Sequence, residues 1–157
     1  MTAPVVTAAA DLVAEVIAVL VAVSDGEPRV LTVEGGAALP AGPFGSADRS
    51  LQASLRAWVE QQTHHPLVYV EQLYTFADPG RIDRAGRRVI SISYLALTRE
   101  QPPREAGAVW RSWYRHFPWE DQRTSAAVAA LAALRPRLRA WAEAAPTPAL
   151  RGERRRR

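Results

Sequence analysis

Three charged side chains that could take part in phosphate chemistry follow a glycine at Gly42: Asp48, Arg56 and Glu60. Carboxylate oxygens are the hard, anionic ligands that Mg²⁺ prefers, and bound Mg²⁺ can neutralise phosphate charge and activate water. Guanidinium groups bind phosphate oxygens directly, through two parallel hydrogen bonds. These residue types therefore suit a phosphate or nucleotide site, in which a metal ion takes part only if enough carboxylates gather.

A loop, an amphipathic helix and a strand must position these side chains. Apolar residues recur in the helix with the i, i+4, i+7, i+8 spacing of one buried stripe, at Leu51, Leu55, Trp58 and Val59. Asp48 precedes this helix and is predicted to cap its first turn. The following strand, residues 67–76, ends in the sequence EQLYTF.

This loop–helix–strand resembles the Nudix family, whose box reads G-x5-E-x7-R-E-U-x-E-E-x-G-U, where U is an aliphatic residue. Counted from Gly42, Asp48 occupies the first acidic position and Arg56 the arginine position. Trp58 stands at the bulky apolar position, and Glu60 at the first of the paired glutamates. The glycine that closes the family box is missing.

The other two helix glutamates of the box are also missing, since Ala57 and Gln61 stand in their places. In Nudix hydrolases these glutamates gather Mg²⁺, so Glu60 alone should hold a metal ion weakly. The resemblance therefore implies a degenerate box in a domain that is not a competent hydrolase and needs no cofactor. The alternative is a divergent Mg²⁺-dependent hydrolase of ADP-ribose or a related nucleoside diphosphate derivative, with ligands drawn from Asp48, Glu60 and Glu71.

Segments after the helix resemble the Nudix-related transcriptional regulators of NAD metabolism. They are the EQLYTF strand Glu71–Phe76, the turn Asp78–Arg81, the strand Val89–Leu97 and the aromatic segment Trp110–Arg123. The resemblance implies a homodimer that senses ADP-ribose, NAD or a related dinucleotide. It implies DNA binding only through a C-terminal winged-helix domain, for which this chain leaves no room. We expect a cytoplasmic setting, because the chain has no cysteine and its first apolar segment does not read as a signal peptide.

The candidate ligand-binding residues are two strand aromatics, three acidic or basic box-region side chains, one strand carboxylate and two turn arginines: Arg49, Arg56, Glu60, Glu71, Tyr74, Phe76, Arg81 and Arg88. Tyr74 and Phe76 could stack on a base, although strand aromatics more often pack in a core. The arginines between 81 and 88 could hold phosphates, or they could form a solvated basic turn balanced by neighbouring aspartates. Glu60 could bind a ligand, or it could simply pair with Arg56 at the surface.

The chain of 157 residues is short enough for one domain. We expect an α/β fold, namely a Nudix-type α/β/α sandwich with a mixed β-sheet. The box helix should cover one face and the C-terminal helix the other. The predicted limits are 1–145 for the Nudix-like domain and 146–157 for a Pro/Arg-rich disordered tail or the start of a linker. Aromatic residues between 110 and 117 are spaced as on one face of a short helix.

Composition excludes several other classes of function. The chain has no cysteine, so it has neither a disulfide framework nor a thiolate site. Its net charge of +4 reflects arginines in the last seven residues, and the remainder is neutral. A neutral body argues against a nucleic-acid-binding surface. No apolar run is long enough to span a membrane, so we expect no membrane partner. A purely structural or dimerisation module remains a third possibility.

Overall fold

The computed structural model describes residues 12–156, apart from the side chain of Ala127. Contacts divide the chain into two compact units, one that ends at Ser112 and one that begins at Trp113. The first unit contains one helix, α1 (Leu51–Thr63), and a short 3₁₀ turn (Glu34–Gly36). Its strands are β1 (Leu12–Ser24), β2 (Glu27–Thr32), β3 (Ala41–Phe44), β4 (Glu71–Phe76), β5 (Arg88–Leu97) and β6 (Val109–Ser112).

The six strands form one mixed sheet in the order β4-β5-β1-β2-β6, and β3 pairs with the first half of β1. β1 and β5 run parallel, whereas the other pairs are antiparallel. The β1–β2 hairpin turns at Asp25 and Gly26, which have φ values of 52° and 72°. An Asp-Gly pair adopts such positive φ values readily. The expected α/β class with a mixed sheet is confirmed.

Helix α1 packs on one face of the sheet and forms the core with it. Even-numbered residues of β1 from Val16 to Ala22 are buried against Leu55 and Val59 of the helix. Tyr94 and Ala96 of β5 belong to the same core. Successive side chains alternate between faces, so odd-numbered residues of β1 lie on the opposite face of the sheet.

The box residues of α1 dock strand β3 onto the helix. The indole of Trp58 lies on Gly42 and its Nε1 donates to the carbonyl of Pro43 at 3.0 Å. The amide of Gln62 exchanges two hydrogen bonds with the backbone of Ala41, at 2.8 and 3.1 Å. Glycine is required at position 42 because a side chain there would occupy the space of the indole.

The prediction that Asp48 caps α1 is wrong. Ser50 is the capping residue, in extended conformation, and its hydroxyl accepts from the backbone N–H of Ala53 at 3.1 Å. Asp48 lies two residues earlier and its carboxylate instead accepts from the N–H of Gly45 at 2.7 Å. The aspartate therefore closes the loop before the helix, and the nearer serine caps the helix itself.

Two further elements differ from the sequence-based expectation. Trp110 lies in strand β6 rather than in a helix, because β6 pairs with β2 and buries the indole against the core. Strand β4 begins at Glu71, four residues later than expected. The carbonyls of Leu67 and Val68 accept hydrogen bonds from Arg56, which gives them a partner outside the strand ladder.

The second unit is helical. It contains α2 (Trp113–His116), a 3₁₀ turn (Pro118–Glu120), α3 (Ser125–Glu143), which runs through Pro136, and α4 (Pro148–Arg156). None of the helices in residues 12–156 is both long and apolar enough to cross a membrane. The predicted domain limits, and the predicted packing of a C-terminal helix on the sheet, stay predictions.

Residues 148–156 of the tail that was expected to be disordered form helix α4. Arg154 stacks on the Trp141 indole at 4.4 Å and donates to the carbonyl of Trp141 at 2.8 Å. Glu143 pairs with Arg155 and lies 3.8 Å from Arg151. The run of like charges that favoured disorder is thus partly neutralised by a carboxylate on the preceding helix.

Replacing Gly42 with alanine should destabilise the first unit. A Cβ at this position would lie 2.1 Å from Cδ2 of Trp58, so the indole would have to leave its place and lose its hydrogen bond. We expect a loss of about 1–3 kcal/mol in the free energy of unfolding, typical of overpacking, measured by urea denaturation. Gly80→Ala is the control, because a Cβ there meets nothing within 4 Å. Equal losses in both variants would contradict this explanation.

Helix α4 should loosen in acid. The hydrogen bond from Arg155 holds the pKa of the Glu143 carboxyl below its ordinary value. A carboxyl with a lowered folded-state pKa stabilises above its unfolded pKa, and the contribution is lost as pH falls through the lowered value. Amide hydrogen exchange in residues 148–156 should therefore rise in acid relative to neutral pH, after correction for intrinsic rates. Glu143→Gln should remove this pH dependence, whereas Glu105→Gln in the first unit should leave it unchanged.

Candidate functional site

The face of the sheet opposite α1 brings together polar and aromatic side chains from three strands. Glu15 of β1 is the register partner of Ser91 of β5, which in turn is the partner of Phe76 of β4. In the adjacent row, Ser93 of β5 is the partner of Tyr74 of β4. The parallel β1–β5 pair therefore joins residues that lie far apart in sequence.

Tyr74, Phe76 and Arg81 form an exposed group that we call the aromatic shelf. The two rings contact edge to face with centroids 4.7 Å apart, and the Arg81 guanidinium lies 5.2 Å from the Phe76 centroid. Tyr74 is 60% exposed and Phe76 36% exposed. These aromatics are therefore not core residues, and the exposed part of such a ring can stack on a base.

A hydrogen-bonded trio of Glu15, Ser91 and Arg81 adjoins the aromatic shelf. Arg81 Nη2 donates to the Ser91 hydroxyl at 2.6 Å and lies 3.7 Å from Glu15 Oε1. The Ser91 hydroxyl donates to the same Glu15 oxygen, and Ser91 is fully buried. Glu15 is not among the residues predicted from the sequence, although a carboxylate that interrupts the apolar run of β1 is a signal that could have identified it.

The turn between β4 and β5 is held by its own side chains. Asp83 accepts from the backbone N–H groups of Ala85 and Arg87, each at 2.9 Å, and from Arg87 Nε at 2.8 Å. The hydrogen bond from the Arg87 backbone is the main cause that holds the pKa of Asp83 below its ordinary value. Arg88 donates to the carbonyl of Ala77 at 2.9 Å. Two of the turn arginines are thus engaged in the turn itself.

On the box helix, Arg56 and Glu60 do not pair with each other. Arg56 donates to the carbonyls of Leu67 and Val68 and braces the segment before β4. Glu60 is 60% exposed at its side chain, and the His64 imidazole lies 4.0 Å from its carboxylate. His64 also ends α1 in the left-handed conformation, with φ 51°.

The remaining candidate residues are spread over the first unit. Arg49 is exposed in the loop before α1, and Glu71 is the register partner of Leu95 on the face that carries the aromatic shelf. Glu60 belongs to α1, which lies on the other face of the sheet from Glu71. The metal-ligand set of the hydrolase alternative, Asp48, Glu60 and Glu71, is therefore not assembled. Within residues 12–156, no group of three His, Asp or Glu side chains is arranged to hold a metal ion.

Comparisons with known proteins give matches among solved structures. No protein-family model and no curated protein sequence matches the chain. The NUDIX domain of Shewanella oneidensis NrtR, solved with ADP ribose, is 23% identical with a TM-score of 0.56. That match covers 82% of this chain and 89% of the other. A MutT/nudix family protein from Enterococcus faecalis is 23% identical with a TM-score of 0.57 over 71% of this chain.

The chain spans only part of the length of the longer chains that it matches. It matches 64% of the Shewanella oneidensis NrtR chain, at 22% identity and a TM-score of 0.55, and 47% of the Enterococcus faecalis chain. Likeness at this level of identity extends to the arrangement of helices and strands. The observed mixed sheet, with the box helix on one face, matches the fold of these structural neighbours. The chain therefore has the Nudix fold.

Proposed function

We propose that this chain is a noncatalytic Nudix-fold domain that binds ADP-ribose or a related dinucleotide such as NAD. The observation that carries the proposal is the exposed aromatic shelf of Tyr74, Phe76 and Arg81 beside the polar pair Glu15 and Ser91. An exposed aromatic pair can stack on the adenine base, and the adjacent polar groups can bind the sugar. Stacking of one base on an aromatic side chain contributes about 1–3 kcal/mol.

The diphosphate of such a ligand needs cationic partners, and the turn after β4 supplies candidates. Arg84 is exposed in that turn, while Arg87 and Arg88 are hydrogen-bonded within it. Arg49, exposed in the loop before α1, is a second candidate. Guanidinium groups bind phosphate oxygens in bidentate fashion, so the exposed Arg84, in the turn that follows the strand of the shelf, supports binding of a nucleoside diphosphate.

The noncatalytic part of the proposal rests on the composition and contacts of the box helix. Ala57 and Gln61 stand where Nudix hydrolases have metal-binding glutamates. Trp58 and Gln62 hydrogen-bond to β3 and Arg56 braces the segment before β4. Helix side chains thus hold neighbouring segments in place. One remaining carboxylate, Glu60, supplies little charge for Mg²⁺, which favours a domain that binds its ligand without cleaving it.

The regulatory part of the proposal draws on the structural neighbours. Shewanella oneidensis NrtR has been solved with ADP ribose and with a 27mer DNA. By analogy we assign this chain to a homodimeric, cytoplasmic transcriptional regulator of NAD metabolism in which the Nudix-fold domain senses the nucleotide. Contact with DNA then belongs to a separate domain of the parent protein, since the body of this chain is neutral in charge.

Calorimetric titration with ADP-ribose and NAD, with and without Mg²⁺, tests this proposal, provided that each sample is then analysed by chromatography for hydrolysis products. We expect saturable binding of at least one ligand and its recovery intact in both conditions. Hydrolysis products that appear only with Mg²⁺ would overturn the proposal that the domain is noncatalytic and favour the divergent hydrolase. Absence of both binding and turnover would overturn the nucleotide-binding proposal and leave a structural module.

Phe76→Ala should weaken ligand binding by about tenfold or more, because the base loses one stacking surface. The matched control is Thr75→Ala on the same strand. Thr75 is the register partner of Ile92, so it lies on the opposite face of the sheet from Phe76. Both dissociation constants are measured by the same calorimetric titration. A Phe76→Ala variant that binds as tightly as the unmodified protein would place the ligand elsewhere.

A further inference from the structure

We propose that Glu15 selects ligands whose adenosine ribose carries free 2′ and 3′ hydroxyls and rejects those with a 2′-phosphate. This inference rests on the proposed function, since it assigns the determinant of specificity within the same site. The inference goes beyond the proposed function because it names a residue outside the box and outside the EQLYTF strand.

The Glu15 carboxylate is held at one oxygen and accessible at the other. Oε1 accepts the hydroxyl hydrogen of the fully buried Ser91 and lies 3.7 Å from Arg81 Nη2. The side chain is nevertheless 32% exposed. Within residues 12–156, no side chain or backbone group donates a hydrogen bond to Oε2. A fixed carboxylate with one accessible oxygen is a preorganised acceptor.

An ionised carboxylate can only accept hydrogen bonds, so its natural partner on a nucleotide is a ribose hydroxyl. Acidic side chains bind the ribose 2′ hydroxyl of NAD in the same way in an unrelated nucleotide-binding fold. A phosphate at the 2′ position has no hydrogen to donate when fully ionised, and it adds negative charge beside the carboxylate. Glu15 should therefore favour the diol and disfavour the 2′-phosphate.

Arg81 does not offset this preference, because its contacts support Glu15. Its Nη2 is engaged with Ser91 and faces Glu15, as described above. Its Nε is buried and has no hydrogen-bond partner among the described residues, so this donor is not presented to solvent. The guanidinium also lies over the Phe76 ring. The arginine thus holds the carboxylate in place, and neither its Nη2 nor its Nε is free to bind a phosphate.

The register of the sheet indicates which ribose meets Glu15. Ser91 is the cross-strand partner of both Glu15 and Phe76, so all three lie in one row of the sheet. In a nucleotide whose base stacks on Phe76, the ribose is joined to that base by a single glycosidic bond and so lies close to it. The sugar next to Glu15 is therefore the adenosine ribose and not the distal one.

The test measures dissociation constants of ADP-ribose and 2′-phospho-ADP-ribose with the unmodified chain and with Glu15→Gln. We expect the unmodified chain to prefer ADP-ribose by about tenfold or more, as for a hydrogen bond to a charged group. Glutamine is isosteric and uncharged, so Glu15→Gln should bind ADP-ribose about tenfold less tightly and lose most of the preference. An unchanged preference in this variant, with ADP-ribose still bound, would overturn the inference alone.

Glu27→Gln is the matched control. Glu27 also accepts from a serine hydroxyl, that of Ser112 at 2.8 Å, and also faces an arginine, Arg29, at 3.8 Å. It is the register partner of Ser24, which lies on the face that carries α1. Glu27→Gln should keep the preference of the unmodified chain, and an equal loss in both variants would overturn the assignment to Glu15.

A second measurement needs no variant and covers the case in which Glu15→Gln fails to fold. The unmodified chain should bind an ADP-ribose analogue with a 2′-deoxyadenosine about tenfold less tightly than ADP-ribose itself. Equal affinity for the two would overturn the inference while leaving the proposed function intact. Failure of the unmodified chain to bind ADP-ribose, NAD or either analogue would instead overturn the proposed function, and the inference with it.

Discussion

The parallel pairing of β1 with β5 is the constraint on which the rest of the first unit depends. The ladder runs without interruption from Leu12 to Val21, and it determines which side chains share a face. Even-numbered residues of β1 meet α1 and form the core. Odd-numbered residues face the other way, where Glu15 meets Ser91. A slip of one residue would exchange the two faces, bury the carboxylate and expose the core.

Side chains at the box positions of α1 hold neighbouring segments of the first unit in place. Trp58 covers Gly42, the amide of Gln62 holds Ala41, and Arg56 holds the segment that leads into β4. These contacts need a glycine, an aromatic ring and an arginine at the box positions, but they need no paired glutamates. The fold can therefore be retained with Ala57 in the helix, while the charge that would concentrate Mg²⁺ is lost.

The sequence predicted those features that depend on neighbours along the chain. The apolar spacing of α1 and the aromatic strand ending at Phe76 are both local patterns, and the structure contains them. The cap of α1 was assigned to Asp48 because both aspartate and serine suit that role, and only the chain geometry distinguishes them.

Features that depend on distant partners could not be predicted in the same way. Glu15 and Ser91 are separated by 76 residues, and nothing in either local sequence indicates the other. Trp110 fitted a helical spacing until pairing with β2 made it part of a strand. Helix α4 forms in the structure where the local charge run predicted disorder, and the carboxylate that pairs with its arginines lies on α3.

Nuclear magnetic resonance tests most directly whether the ligand binds on the sheet face opposite α1. Amide ¹H–¹⁵N shifts would be followed while ADP-ribose is added to the labelled chain. We expect the largest changes in residues 71–76 and 88–93, with little change in α1. Largest changes along α1 that appear only when Mg²⁺ is present would contradict this expectation, because the ligand would then occupy a metal-dependent box site.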